Sequence, residues 1–339
     1  MTGRERVIRT LRFQSPDRAP RDLWALPGVG LFRKGELDAL SARFPSDFAA
    51  PPAKYGPSER ARGDCSRVGG YVDEWGVVWT VGEPGVVGEI KRPILAEDAA
   101  IASYRLPREL LDKADFSKVD DFCAKAERFV KAGTLARPFE RLQFLRGTEN
   151  LYLDLGYGTS AVLGLLRQLH EFFVREMELW AATAVDAVGF MDDWGSQNAL
   201  LISPDMWREL FKPLYADYCR LARRAGKFVF FHSDGNISAI YPDLIEIGVD
   251  AVNSQLFCMD IEALAARHKG KITFWGELDR QHLLPFGTPE QVKEGVRRVR
   301  RALDDGRGGV IAQCEWGLKD PAENIAAVFE AWDEPRPAG

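Results

Sequence analysis

Histidine is scarce in this chain, four among 339 residues, and cysteine is nearly so at five. Any site built from these side chains draws on a short roster. Cys65, Cys123, Cys219, Cys258 and Cys314 stand at no paired spacing, which excludes a Cys-x-x-Cys framework. Their odd number fits a reducing, cytoplasmic setting better than a disulfide scaffold. Long apolar runs are missing as well. Nothing approaches the roughly 18 residues of a membrane helix, and the charged opening Met1–Arg6 leads into no signal-peptide core. There is no excess of positive charge: 45 Lys+Arg against 50 Asp+Glu leave a formal net charge of -5. Nucleic acid, which needs a basic face to hold phosphates, is therefore not the expected partner. No internal repeat, low-complexity tract or interdomain linker interrupts the sequence. What is present is ordinary for a globular protein with a large core, 46% hydrophobic and 28% charged.

From about residue 185 onward, short β-rich runs alternate with amphipathic helical stretches. The runs are Asp186–Met191, Lys227–Phe231, Asp250–Asn253, Lys271–Trp275 and Gly309–Ala312. Ser203-Pro204 and Thr288-Pro289 supply a cap and a first-turn proline for helices over 205–225 and 290–303. Asn236 can cap a helix over 237–247, where Gly248 supplies the left-handed stop. Continuous apolar strands separated by helices predict a parallel sheet covered by helices. The first half is less regular. It predicts a helix over 2–13, a first strand over 20–26, loops with short helices over 27–70, and a hairpin of 72–79 with 86–90 turning at Glu83–Gly85. Helices over 107–132 and 159–184 follow, with a strand over 133–138. Seven strands in alternation come close to the eight of a barrel. The fold class expected is therefore α/β, a single (β/α)8 TIM barrel over 1–339. Residues 1–110 would carry the N-terminal helix, strand, loops and added hairpin, and 111–335 the main βα units. The Trp75/Trp79 hairpin could pack on another subunit, giving a homo-oligomer, or cover the barrel mouth.

Loops at the C-terminal ends of parallel strands vary without disturbing the core, so ligands bind there. The unusual polar residues cluster at those ends: Asp192 and Asp193; His232, Asp234 and Asn236; Asn253 and Gln255; Glu277 and Asp279; Gln313, Cys314 and Glu315. Five consecutive decorated ends exceed what helix capping requires and mark an active site at the mouth. Asp192 and Asp193 are adjacent, so on a strand one faces inward and the other outward, and only one is expected to be functional. His232 and Asp234 are two apart and share a side. An imidazole, a carboxylate and the Cys314 thiolate would form a zinc first shell with an open fourth position. The alternative is structural: Ser233–Asn236 is a good turn, His232 can be a core histidine, and lone cysteines are often apolar fillers. His268 reads as a surface residue near a helix end, and His282 as a helix-start residue beside the mouth.

Phe230–Asn236, Tyr241–Asp250, Phe274–Asp279, Leu284–Glu290 and Pro321–Ile325 together resemble the uroporphyrinogen decarboxylase superfamily. The likeness is strong over 185–335 and weaker over 2–20. It implies a (β/α)8 barrel, in agreement with the alternation, and one of two chemistries. The first is cofactorless decarboxylation of uroporphyrinogen. The second is methyl transfer to or from a corrinoid protein, where many members hold zinc through His-x-Cys and a distant Cys. His232 and Cys314 match the first and last of those zinc positions. Asp234 stands where the middle cysteine would be, which keeps the charge but loses softness and opens the site to an oxygen-preferring metal.

A substrate with eight carboxylates calls for a cationic funnel, whereas these strand ends are mostly acidic or neutral, with Arg280 the strong exception. The segment 19–28 also lacks the Met-Arg-Gln-Ala-Gly-Arg pattern of true decarboxylases. The expected function is therefore methyl transfer between a small molecule and a corrinoid protein, with zinc or another divalent metal on His232, Asp234 and Cys314. Asp192, Asp193 and Glu277 are the candidate catalytic residues, and Asn253, Gln255, Asp279 and Gln197 the candidate substrate contacts. A decarboxylase, or a barrel that binds without catalysis, are the alternatives.

Overall fold

A computed structural model describes residues 1–336. Eight strands form one parallel sheet: β1 (Arg21–Ala25), β2 (Phe48–Ala49), β3 (Phe129–Gly133), β4 (Ala187–Met191), β5 (Phe228–Ser233), β6 (Ala251–Ser254), β7 (Thr273–Trp275) and β8 (Val310–Trp316). Their order is β1-β8-β7-β6-β5-β4-β3-β2, so the first strand pairs with the last and the sheet curls into a nearly closed barrel. Helices cover its outside, the longest being Ser160–Ala181 and Pro289–Leu303. No described helix is long and apolar enough to cross a membrane.

Alternation along each strand separates two apolar layers. Phe48, Phe129, Ala187, Phe230, Ala251, Trp275 and Ile311 point into the barrel, and Val7 and Leu11 of the helix Gly3–Leu11 plug its bottom. The intervening residues, among them Val130, Val188, Phe231, Val252, Phe274 and Ala312, face the surrounding helices.

The seam between β1 and β2 has no ladder of its own. Asp47 closes it: its N–H donates to the Arg21 carbonyl at 3.0 Å, while its carboxylate accepts Arg21 N–H at 2.7 Å. The same carboxylate accepts from Arg6 at 2.6 Å and Arg18 at 2.7 Å, tying the N-terminal helix to the ring.

The first half departs from the pattern expected of it in three places. A helix over 107–132 does not form. Asp115 instead accepts Ser117 N–H and Oγ–H in a side-chain turn, leaving two short helices, Glu109–Asp112 and Val119–Lys125, ahead of β3. The strand expected over 133–138 accordingly lies earlier, at β3. The hairpin pairs Gly69–Val72 with Val78–Val81, because Asp73 Oδ1 accepts both Trp75 and Val77 N–H and Gly76 takes φ +84°. Trp75 and Trp79 offer no aromatic surface. Both are buried, Trp75 against Phe172 and beneath the Arg141 guanidinium, Trp79 against Phe144. His268 is buried too, stacked on Tyr241.

Asp47→Ala strands two arginines at the seam and should lower the unfolding free energy by about 3 kcal/mol in urea titrations. Glu176, fully buried on the helix Ser160–Ala181, accepts from Tyr55 OH and from Leu135 N–H at 2.7 Å, but its Oε2 has no partner. Burial pushes its carboxyl from 4.5 up to about 7. The folded protein thus holds a proton that the unfolded chain releases, and stability falls as pH rises from 4.5 to 7. Glu176→Gln should remove this loss, gaining up to about 3 kcal/mol on wild type across that window in pH-resolved denaturation.

Candidate active site

The residues at the strand ends sort by the same two-residue alternation. On β5, Phe230 points inward, Phe231 outward, and His232 inward again. Asp193 follows the end of β4 and Asp234 the end of β5. Together they flank the imidazole, with His232 Nε2 3.5 Å from Asp193 Oδ1 and 3.7 Å from Asp234 Oδ1. Among the described residues, Asp193, His232 and Asp234 form the one group of three whose ligand atoms lie within 4.8 Å of one another. On the far side of the ring, His232 Nδ1 meets Asn253 Oδ1 at 2.6 Å. Asn253 is itself fixed by donating to the Trp275 carbonyl. With the amide oxygen as acceptor, Nδ1 carries the proton and the Nε2 lone pair faces the two carboxylates. The Trp24 ring packs 5.5 Å from the imidazole.

Cys314 does not join them. It pairs in register with Leu23 on the outward face of β8, fully buried between Ala312 and Trp316 in the layer under the helices. Burial raises its thiol well above the ordinary range, so it is a protonated apolar filler rather than a thiolate. Its neighbours in sequence, Gln313 and Glu315, pair with Asp22 and Trp24 on the inward face.

The adjacent aspartates also divide. Asp192 is fully buried and accepts Phe139 N–H at 2.9 Å, Glu140 N–H at 2.8 Å and Tyr215 OH at 2.6 Å. It anchors the start of the helix Pro138–Arg146 and lies outside the mouth. Asp193 takes the exposed side and accepts Asp234 N–H at 2.9 Å.

Arg280 is the hub of the rim. Its guanidinium donates to Asp234 Oδ2 and Glu315 Oε1 and lies 3.7 Å from Glu277 Oε2. Burial works against its charge, but Glu277, Asp234 and Glu315 more than offset this and raise its pKa. Glu277 has no hydrogen-bond partner on either oxygen. Burial pushes its carboxyl up to about 8, with Arg280 pulling the other way. Glu140, buried near Asp193, is likewise raised to about 8, by burial and then by the Asp193 charge. Glu140 sits inside a helix rather than at a strand end, which is why no sequence pattern marked it.

The remaining candidates gather beside this rim. Gln197, Gln255 and Asp279 line a small cleft with Cys258 and Arg280. Cys258 Sγ–H lies 3.2 Å from Gln197 Oε1, and Gln255 Oε1 accepts Gly235 N–H at 3.2 Å. Asp279 caps the next turn through Gln281 and His282 N–H, and the exposed His282 lines the outer edge of the cleft.

A family model described as Uroporphyrinogen decarboxylase (URO-D) matches residues 89–335. The chain belongs to the uroporphyrinogen decarboxylase family. It is 25% identical over 204 residues to a methylated-thiol--coenzyme M methyltransferase of Methanosarcina mazei. That match covers 59% of this chain and 52% of the relative, about half the relative's length. The solved structure of a methyltransferase from Methanosarcina mazei superposes with a TM-score of 0.64 at 14% identity, over 98% of both chains. It shares the barrel of this URO-D family member. A glycosylated endo-β-1,4-xylanase of Gloeophyllum trabeum superposes with a TM-score of 0.45 at 13% identity, over 95% of this chain and 98% of that one.

Neighbouring aspartates with opposite roles should respond oppositely to truncation. Asp192→Ala strands two backbone N–H groups and the Tyr215 hydroxyl, and should cost about 3 kcal/mol of stability. Asp193→Ala should change stability by less than about 1 kcal/mol. Parallel urea denaturation of the two variants checks both values.

Proposed function

We propose that this URO-D family member is a methyltransferase that moves a methyl group between a small molecule and a corrinoid protein, with a divalent cation held by Asp193, His232 and Asp234. The observation that carries the reading is the convergence of two carboxylates on an imidazole whose lone pair Asn253 aims at them. Separations of 3.5 and 3.7 Å are close to the roughly 3.4 Å between ligand atoms of a tetrahedron with bonds near 2.1 Å. Asp234 Oδ1 is buried without a hydrogen-bond partner, an orphan that a cation would satisfy. One nitrogen and two carboxylate oxygens form a harder donor set than a thiolate pair, so zinc competes here with other oxygen-tolerant divalent ions.

Such a cation would supply Lewis acidity toward a thiol or another heteroatom of the methyl donor or acceptor. The protein groups do the rest. Asn253 holds the His232 tautomer. Arg280 fixes Asp234 through Oδ2 and leaves Oδ1 free for the mouth. Glu277, protonated at neutral pH because burial raises it to about 8, is a proton donor at the rim. Gln197, Gln255 and Asp279 supply polar contacts beside it. The methylated-thiol--coenzyme M methyltransferase relative supports the reaction class, and a corrinoid protein is the methyl-carrying partner that the family resemblance implies. Decarboxylation of uroporphyrinogen fits less well. The rim guanidinium described above, Arg280, is already paired with Asp234 and Glu315, so it offers a polycarboxylate little attraction.

Elemental analysis of protein loaded with zinc, manganese or iron(II) and then desalted tests the site. About one equivalent should be retained by wild type and by Cys314→Ala, and His232→Ala or Asp193→Asn should weaken retention at least tenfold. Equal retention in wild type and His232→Ala would overturn the cation site.

A further inference from the structure

Between the antiparallel hairpin and the helix Pro138–Arg146 lies a cavity of about 460 Å3 that none of the mouth residues lines. Pro57, Leu110 and Leu135 give it an apolar wall, and Ala61 stands exposed at its edge. Arg141, buried on that helix, brings a guanidinium to the same wall.

The other polar side chains around it are engaged. Tyr55 OH donates to Glu176 Oε1 and accepts the Trp180 indole N–H at 3.1 Å. Ser58 Oγ–H donates to Glu109 Oε1 at 2.7 Å. Asp73 serves its own turn: Oδ1 accepts Trp75 and Val77 N–H, each at 2.9 Å, and Oδ2 accepts the Trp79 indole N–H at 3.0 Å. Arg141 Nη1 therefore stops 3.6 Å from Asp73 Oδ2, beyond a hydrogen bond. Its Nε and Nη1 are buried and have no hydrogen-bond partner among the described residues. The guanidinium rests instead 4.2 Å from the centre of the Trp75 ring and 5.5 Å from that of Phe144. Such cation–π contacts compensate only in part for lost water. Burial accordingly pushes the Arg141 pKa down to about 10, with Asp73 pulling the other way. A carboxylate in the cavity would supply the missing acceptor as a charge-assisted hydrogen bond.

We infer that this cavity is a second ligand site, separate from the mouth, for a small organic monoanion whose carboxylate pairs with Arg141 and whose apolar body lies against Pro57, Leu110 and Leu135. A planar carboxylate matches the fork of a guanidinium, and an apolar wall with few placed polar groups is the usual make-up of a small-molecule site. The neighbouring acids set the charge of the ligand. Asp73 and the exposed Glu74 also line the cavity, so a second negative charge on the ligand would meet repulsion that a single one offsets through Arg141. Inorganic phosphate is therefore disfavoured, both for its charge and for its lack of an apolar part. The site depends neither on the reaction proposed for the mouth nor on a cation there.

The test uses sodium benzoate as the probe, with benzamide as its neutral analogue and inorganic phosphate as the anion without an apolar body. Binding is read by saturation-transfer NMR and calorimetry on the whole protein. Wild type should bind benzoate about tenfold or more tightly than either control. Arg141→Met keeps an unbranched stem against Trp75, removes the charge, and should abolish the preference for benzoate over benzamide. Ala61→Glu keeps the guanidinium and adds a carboxylate at the exposed edge, where it should weaken benzoate about fivefold or more. That variant decides the matter if Arg141→Met does not fold. His232→Ala should bind benzoate as wild type does, which separates this site from the mouth. Benzoate held no more tightly than benzamide or phosphate, or binding unchanged in folded Arg141→Met or in Ala61→Glu, would overturn the inference. So would benzoate binding that is lost in His232→Ala.

Discussion

The two-residue repeat of the β-strand governs what this barrel can do. A side chain on a strand faces either the lumen or the helices, and its neighbour faces the other way. On β8 that rule sends Glu315 to the rim and Cys314 into the apolar layer. On β5 it brings His232 up over Phe230. Past the end of β4 it still separates Asp192, which anchors a helix, from Asp193, which reaches the imidazole. Chemical type does not override this geometry. A thiol one position out of phase is as remote from the lumen as if it lay on another strand.

Within the lumen, charge is arranged by depth. Apolar rings fill the bottom. Above them lie Lys131, resting on the Trp275 ring, and Asp22, which accepts from the Trp24 and Trp275 indoles, and then the imidazole with its flanking acids. At the rim the Arg280 guanidinium holds Asp234 and Glu315 in place. Glu277 is left without hydrogen-bond partners in this arrangement and is easiest to keep neutral. A rim that contained the same acids without Arg280 would repel itself, and Asp234 would have no fixed orientation to offer the imidazole.

Much of the barrel was legible in the sequence. The five later strands and their helices follow from apolar runs bounded by Ser-Pro, Thr-Pro and Gly signals, and the structure has them within a few residues. The first half was harder because its turns depend on side chains. Asp73 and Asp115 accept neighbouring N–H groups and reset the chain locally, and β2 is two residues long, too short for any pattern. The mouth was legible as a place, with His232, Asp234 and Asn253 in it. The partner of the imidazole was not. Cys314 was attractive for its chemistry, and only the register of β8 against β1 excludes it. Glu140 and Lys131 carried no signal. Glu140 lies in a helix, and Lys131 is indistinguishable from a surface lysine until β3 is known to be a barrel strand.

The pairing of Leu23 with Cys314 joins residues roughly 290 positions apart, and contacts that distant form late in folding. As the polypeptide leaves the ribosome, β1 is made well before β8 and has no neighbour on one side until that strand follows. Asp47 is the early residue that can hold β1, through the arginines of the segment just synthesised. The first fifty residues thus form a provisional clasp, which keeps an unpaired strand edge from finding the wrong companion while the ring awaits its final member.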